Sequence, residues 1–173
     1  MRRIVYGLIL IGVLGIAALA WYLGSPLFIR TTANEAFPTV APIPPAVGTA
    51  ATPSPGAPAT APASPKTIAT GSLGYVDSQH NGTGTVLIVR TGDAVVVRFE
   101  NVAITNAPDV HVYLSRETGG KWTEATSLYL GALKATNGSF NYTVPQDADV
   151  SLYKSVVVWC RQFSVLVTWA DLH

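Results

Sequence analysis

Cysteine occurs once in the 173 residues, at Cys160, methionine once, at Met1, and histidine three times, at His80, His111 and His173. A single cysteine excludes an intrachain disulfide. The same scarcity argues against a blue-copper site, which needs two histidines, a cysteine and usually an axial methionine, and against structural zinc, for want of ligands at finger spacing. Charge is scarce too: Lys, Arg, Asp and Glu make up 12% of the chain, with a formal net charge of +1. That balance excludes a strongly basic nucleic-acid binder. No GxSxG, HExxH, P-loop, dinucleotide fingerprint or EF-hand loop occurs. The common hydrolase and nucleotide-binding chemistries therefore have no motif, and enzymatic activity is left open.

What is present instead is hydrophobicity, at 49% of residues, and its distribution is uneven. Ile4 to Leu23 is an uncharged apolar run of bilayer-spanning length. Arg2 and Arg3 precede it, and Trp21 and Tyr22 stand at its far end, where amphipathic rings favour a membrane interface. The expectation is a single-pass signal anchor over 4–23. Residues 1–3 are then cytoplasmic and everything after the span extracellular, or extracytoplasmic in a bacterium. A cleaved signal peptide is the alternative, since Ala18-Leu19-Ala20 fits a small-x-small site, but the apolar run continues past Ala20.

Residues 24–37 form a membrane-proximal segment. From Pro38 to Lys66 the composition shifts to Pro, Ala, Thr, Ser and Val, with nine of the 12 prolines. Such a stretch has too little large apolar surface to offset ordering entropy, so the expectation over 38–66 is a disordered, extended, proline-rich linker acting as a stalk.

Residues 67–173 form the remaining domain. It carries seven Lys or Arg against nine Asp or Glu, a formal net charge of −2. Its hydrophobic period is two. Strands are expected over 71–76, 85–90, 94–99, 110–115, 127–133, 139–144, 155–160 and 163–169, separated by turn signals such as Asn81-Gly82, Thr91-Gly92-Asp93, Gly119-Gly120 and Asn137-Gly138. Short strands at this spacing without an amphipathic helix predict an all-β domain, an antiparallel β-sandwich or barrel.

Three residues are candidates for chemistry. Cys160 ends the run Ser155–Cys160, where alternation puts it on one face with Val156 and Val158, and Val157 and Trp159 on the other. It is read either as a buried core thiol or as a redox thiol or cofactor ligand, the latter needing a stabilised thiolate. His111 lies two residues from Asp109 on a strand, so the two can touch and orient the imidazole; the preferred expectation is a solvated strand face bearing Asp109, His111, Tyr113 and Ser115. His80 falls in a polar turn, a weaker ligand candidate. Trp122, Trp159 and Trp169 read as core or edge aromatics. No metal site is indicated.

Several segments together resemble the DM13 domain family over most of residues 67–172: Pro108-Asp109-Val110-His111-Val112-Tyr113-Leu114, Leu130-Gly131-Ala132-Leu133-Lys134, Gly138-Ser139-Phe140-Asn141-Tyr142, and Val158-Trp159-Cys160 followed by Phe163-Ser164-Val165. The membrane-proximal 25–29 and 34–38 are similar to bacterial membrane-anchored members. The resemblance implies an all-β extracellular domain acting in electron transfer, with a characteristic cysteine, here Cys160, as a naked thiol or prosthetic-group ligand. A haem cofactor follows only from that analogy. The partners implied are the membrane and a redox or cell-surface protein, with no nucleic acid. The alternative is a non-catalytic cell-surface binding or adhesion module with Cys160 in its core.

Overall fold

The computed structural model describes residues 2–28, 30–39 and 64–173. Most of the expected linker, residues 40–63, lies outside the described residues. Helix α1 spans Arg2–Phe28, running five residues past the expected end of the apolar span. It is the one helix among the described residues long and apolar enough to cross a membrane, and none of that span is buried against the rest of the described chain.

The expected all-β domain is present. The strands are β1 (Thr32–Asn34), β2 (Lys66–Ser72), β3 (Gly82–Thr91), β4 (Ala94–Ile104), β5 (Val110–Ser115), β6 (Ser127–Ala132), β7 (Asn137–Val144), β8 (Ser155–Cys160) and β9 (Val165–Asp171). They form a five-stranded sheet in the order β1-β7-β4-β3-β2 and a four-stranded sheet in the order β6-β5-β8-β9. All pairings are antiparallel except β1 with β7, which is parallel. β5 and β8 fall where the β-branched runs place them.

β2 does not: 71–76 was expected and the strand runs Lys66–Ser72. After Ser72 the regular ladder ends although the chain stays beside β3: Leu73 N–H donates to Gly84 O at 3.0 Å and Gly74 O accepts from Gly82 N–H at 3.2 Å, while Gly74 N–H donates to Trp169 O at 2.7 Å, across to the other sheet. The last strand starts two residues later than expected, since Arg161 to Ser164 turn the chain, with Ser164 at φ 51°.

The core lies between the sheets. Val86, Ile88, Val97, Phe99, Phe140, Tyr142 and Val144 of the first sheet meet Val110, Val112, Leu114, Val156, Val158, Cys160 and Val167 of the second. This is the alternation of pleated strands with one face turned inward. At one open side Thr70 and His173 exchange backbone hydrogen bonds at 3.0 Å. At the other the Tyr142 hydroxyl accepts from Lys134 N–H and donates to Ala132 O, both at 2.9 Å. Burial pushes the Tyr142 phenol above its usual range.

The segment just after α1 is part of this domain. Thr31 O accepts from the N–H groups of Thr136 and Asn137 at 3.1 and 3.0 Å, and Glu35 N–H donates to Ser139 O at 2.7 Å. Asn141 Nδ2 donates to Ala36 O at 2.9 Å. Arg98, on the outward side of β4, is buried beneath this segment: its Nη1 donates to Glu35 O and Ala36 O at 3.2 and 3.1 Å, its guanidinium lies 5.2 Å from the Phe37 ring centroid, and its Nε pairs with Glu100. Residues 31–38 are therefore a strap bound to β7 and β4.

The Glu35 carboxylate locks the strap, accepting from Lys134 Nζ at 2.8 Å and Asn141 N–H at 2.9 Å. The hydrogen bond from Lys134 is the main reason its pKa lies below the ordinary 4.5. A carboxyl whose folded pKa is depressed contributes stability that is complete above its unfolded value and is lost as pH falls through the folded one. Lowering the pH below about 4.5 is thus expected to lower the urea midpoint of the wild type more than that of Glu35→Gln. Parallel slopes for the two proteins in urea titrations from pH 6 to pH 3 would remove Glu35 from this role.

Candidate functional site

β8 and β5 run side by side in the middle of the second sheet, with Val110 opposite Cys160, His111 opposite Trp159 and Tyr113 opposite Val157. Their two faces carry different chemistry. Inward, Cys160 is fully buried among core side chains, and its thiol donates to Pro108 O at 2.8 Å. A carbonyl oxygen accepts a hydrogen bond but cannot take the proton, so this environment supplies no base to make the thiolate. Arg161, the next residue, points to the opposite face. A haem ligand needs a sulfur open to an adjoining macrocycle-sized space. Cys160, enclosed by the core and bonded to Pro108, does not fit that role.

Outward, the expectation of a solvated face on β5 is corrected. Every residue of the strand is buried on both sides of the sheet. The cover comes from the β5–β6 connection and from β6 itself. Ser115 Oγ donates to Lys121 O at 2.8 Å and Ser155 Oγ donates to Glu117 O at 2.6 Å, folding that connection back over the strands. It delivers Trp122, whose ring centroid lies 4.5 Å from that of Tyr113 and 5.1 Å from that of Trp159. Register sets Tyr129 of β6 opposite Tyr113, with centroids 5.3 Å apart, and Tyr129 lies 5.6 Å from His111.

The result is a continuous series of rings: His111, Tyr129, Tyr113, Trp122 and Trp159. Arg161 closes it from above. Its guanidinium carbon is 4.7 Å from the Tyr129 centroid and 5.6 Å from that of Tyr113, and its Nε donates to the Tyr113 hydroxyl at 2.7 Å. That hydrogen bond raises the guanidinium pKa further above its already high value. Tyr113 and His111 are buried, Trp122 and Trp159 half-buried, and Tyr129 is 46% exposed.

Asp109 and His111 do touch: Asp109 Oδ1 is 2.6 Å from His111 Nε2, while His111 Nδ1 is 2.9 Å from the Tyr129 hydroxyl. Asp109 holds a left-handed backbone, φ 57°, and its carbonyl accepts from Arg161 N–H at 3.0 Å. His80 sits elsewhere, in a turn built on Asp77, whose Oδ1 accepts from the N–H groups of Gln79 and His80 at 2.7 Å and whose Oδ2 is 2.8 Å from His80 Nδ1. The His80 hydrogen bond is the main influence drawing the Asp77 carboxyl below its usual range. Its bonding accounts for the turn. Among the described residues, no group of three or more His, Cys, Asp or Glu side chains is placed to hold a metal ion.

Two packed β-sheets with one buried thiol between them and a series of aromatic rings on the outward side of the second sheet define the class as a small β-sandwich domain. Residues 75–172, 98 of the 173, match the family model described as Electron transfer DM13. The chain belongs to the DM13 family. No curated protein matches it, and no solved structure does.

Proposed function

We propose that this chain is a membrane-anchored electron-transfer domain that exchanges single electrons with a protein partner across the outward face of β5, β6 and β8. In this reading 4–23 is the anchor, the N-terminus is cytoplasmic, and the β domain is extracytoplasmic. The observation that carries it is the contiguous ring series from His111 to Trp159, in a family described as one of electron transfer. Tyr and Trp are the protein side chains most readily oxidised by one electron, and ring contacts near 5 Å give strong electronic overlap. Flash-generated tris-bipyridyl ruthenium(III), applied to the full chain in nanodiscs, is expected to produce a radical on this face. Trp122→Leu combined with Trp159→Leu should slow its formation several-fold, and Trp169→Leu should not. Equal rates in all three proteins would overturn the assignment of this face.

The version in which Cys160 itself carries the electron requires a reachable or deprotonated sulfur. The second reading, a non-catalytic surface-binding module with Cys160 as a core thiol, is favoured by the burial of that sulfur and its bond to Pro108. In the folded full chain, Cys160 is expected to resist an aromatic disulfide reagent and to react fully in denaturant. Labelling within seconds under native conditions would restore Cys160 as the redox group.

A further inference from the structure

Of the thiol and the two phenols in this sheet, two lack a place for the proton that oxidation releases, and one has such a place. Cys160 donates to a carbonyl. The Tyr113 hydroxyl accepts from Arg161, a permanently charged donor that cannot take a proton in return. Among these three, Tyr129 alone faces a base. Asp109 is a carboxylate and can only accept, so the 2.6 Å contact puts the imidazole hydrogen of His111 on Nε2. Nδ1 is then the lone-pair nitrogen, and the 2.9 Å contact is a hydrogen bond from the Tyr129 hydroxyl to it.

We propose that Tyr129, His111 and Asp109 form a proton-coupled electron-transfer site, with Tyr129 as the redox group and His111 as its proton acceptor. This deepens the electron-transfer reading and rests on it. The oxidant is a high-potential one-electron acceptor, a metal centre or radical on a partner, that reaches the exposed edge of Tyr129. Tyr129 gives one electron to that acceptor. Its O–H bond breaks and the proton passes to His111 Nδ1, leaving a neutral phenoxyl radical and an imidazolium whose Nε2–H stays on the Asp109 carboxylate. On reduction, one electron returns to the phenoxyl oxygen and the same proton goes back from Nδ1.

The surroundings make the proton transfer necessary. Arg161 lies over the Tyr129 ring, and a positive charge there opposes a radical cation but not a neutral radical. The new imidazolium, by contrast, forms against a carboxylate already in place, so the charge that develops meets a fixed counter-charge. Asp109, which adopts a left-handed backbone that aspartate tolerates, presents this carboxylate 2.6 Å from His111 Nε2. The titratable and charged groups around the imidazole are Asp109, Tyr129, Tyr113 and Arg161.

The test uses the full chain in nanodiscs with flash-generated tris-bipyridyl ruthenium(III), read by electron paramagnetic resonance and transient absorption. The wild type is expected to give a tyrosyl signal and a solvent deuterium isotope effect on the rate of its formation. Tyr129→Phe keeps the ring contacts and should abolish the signal. His111→Gln keeps an acceptor for the phenol but no base; it should slow oxidation on the order of 100-fold. Asp109→Asn should slow it less. A tyrosyl signal that survives Tyr129→Phe, or a His111→Gln rate like the wild type, overturns the site. If the radical forms at Trp122 or Trp159 and ignores Tyr129→Phe, this inference fails while the electron-transfer reading stands. If no radical forms on this face at all, both fail.

Discussion

Phe140→Ala is expected to remove about 3–5 kcal/mol from the stability of the β domain, a large share of the roughly 5–15 kcal/mol that holds a domain of this size folded. Phe140 is fully buried and stacks on Phe99 at 5.1 Å between centroids and 17° between planes, while Tyr142 meets both rings edge-on at 5.8 and 6.0 Å. Truncation removes both the transfer energy of the ring and an aromatic contact of about 0.5–1.5 kcal/mol, and it leaves a cavity between two sheets that are tied to each other at both sides. β7 also bears the strap on one side and β4 on the other, so the loss is felt by three strands. Urea unfolding followed by tryptophan fluorescence measures it. A midpoint shift worth less than about 1.5 kcal/mol would mean that the core closes around the gap.

The second large effect is expected at Gly138. Its φ is +104°, and a Cβ there would meet Ala33 O in a severe clash and Asn34 Oδ1 at 2.8 Å. Gly138→Val therefore has to give up either the backbone conformation, at about 1–3 kcal/mol, or the parallel pairing of β1. We expect the pairing to go. Glu35 N–H and Asn137 N–H should lose hydrogen-exchange protection while the amides of β8 keep theirs. Arg98, covered by the strap in the native protein, should become reactive to a guanidinium reagent. Unchanged protection at Glu35 in Gly138→Val would show that the strap does not depend on this glycine.

How much of this could be read from the chain differs from strand to strand. β8 is legible as a largely β-branched run bounded by turn residues, a pattern that burial on both sides reinforces, and β5 is legible from its alternation, which marks a strand but points to an open outward face that the structure covers. Asp109 and His111 were legible as a pair because residues i and i+2 share a face. The environment of the pair was not, since it depends on Trp122 and on Tyr129, brought in by a connection and by register rather than by local spacing. The signal available was the recurrence of Tyr and Trp at outward positions of three separate strands and one loop. β1 carried no signal at all. Thr32-Ala33-Asn34 has no large apolar residue, and its partner strand begins over a hundred positions later. β2, an edge strand with an exposed face, shares the Thr- and Ala-rich composition of the preceding tract, so that residues 67–70 fall in the expected domain but in no expected strand.

The strap gives the connection between helix and domain two very different lengths. With β1 in place, three peptide steps separate Phe28 of α1 from Thr31 on the domain, a reach of about 10 Å. The long Pro-rich tract then leaves the domain at one edge, where Pro38 O accepts from Thr91 Oγ1, and re-enters it at Lys66, so that both its ends belong to the same body. It contributes nothing to the leash in this state. If β1 detaches, the next attachment to the domain is at Lys66, and the sequence separation from Phe28 allows a maximum reach of roughly 130 Å. Were α1 held in a membrane, a pull between it and the domain would fall first on the hydrogen bonds of Thr31 to Ala36, a mechanical fuse that sets whether the domain is held on three peptide steps or on the longer chain.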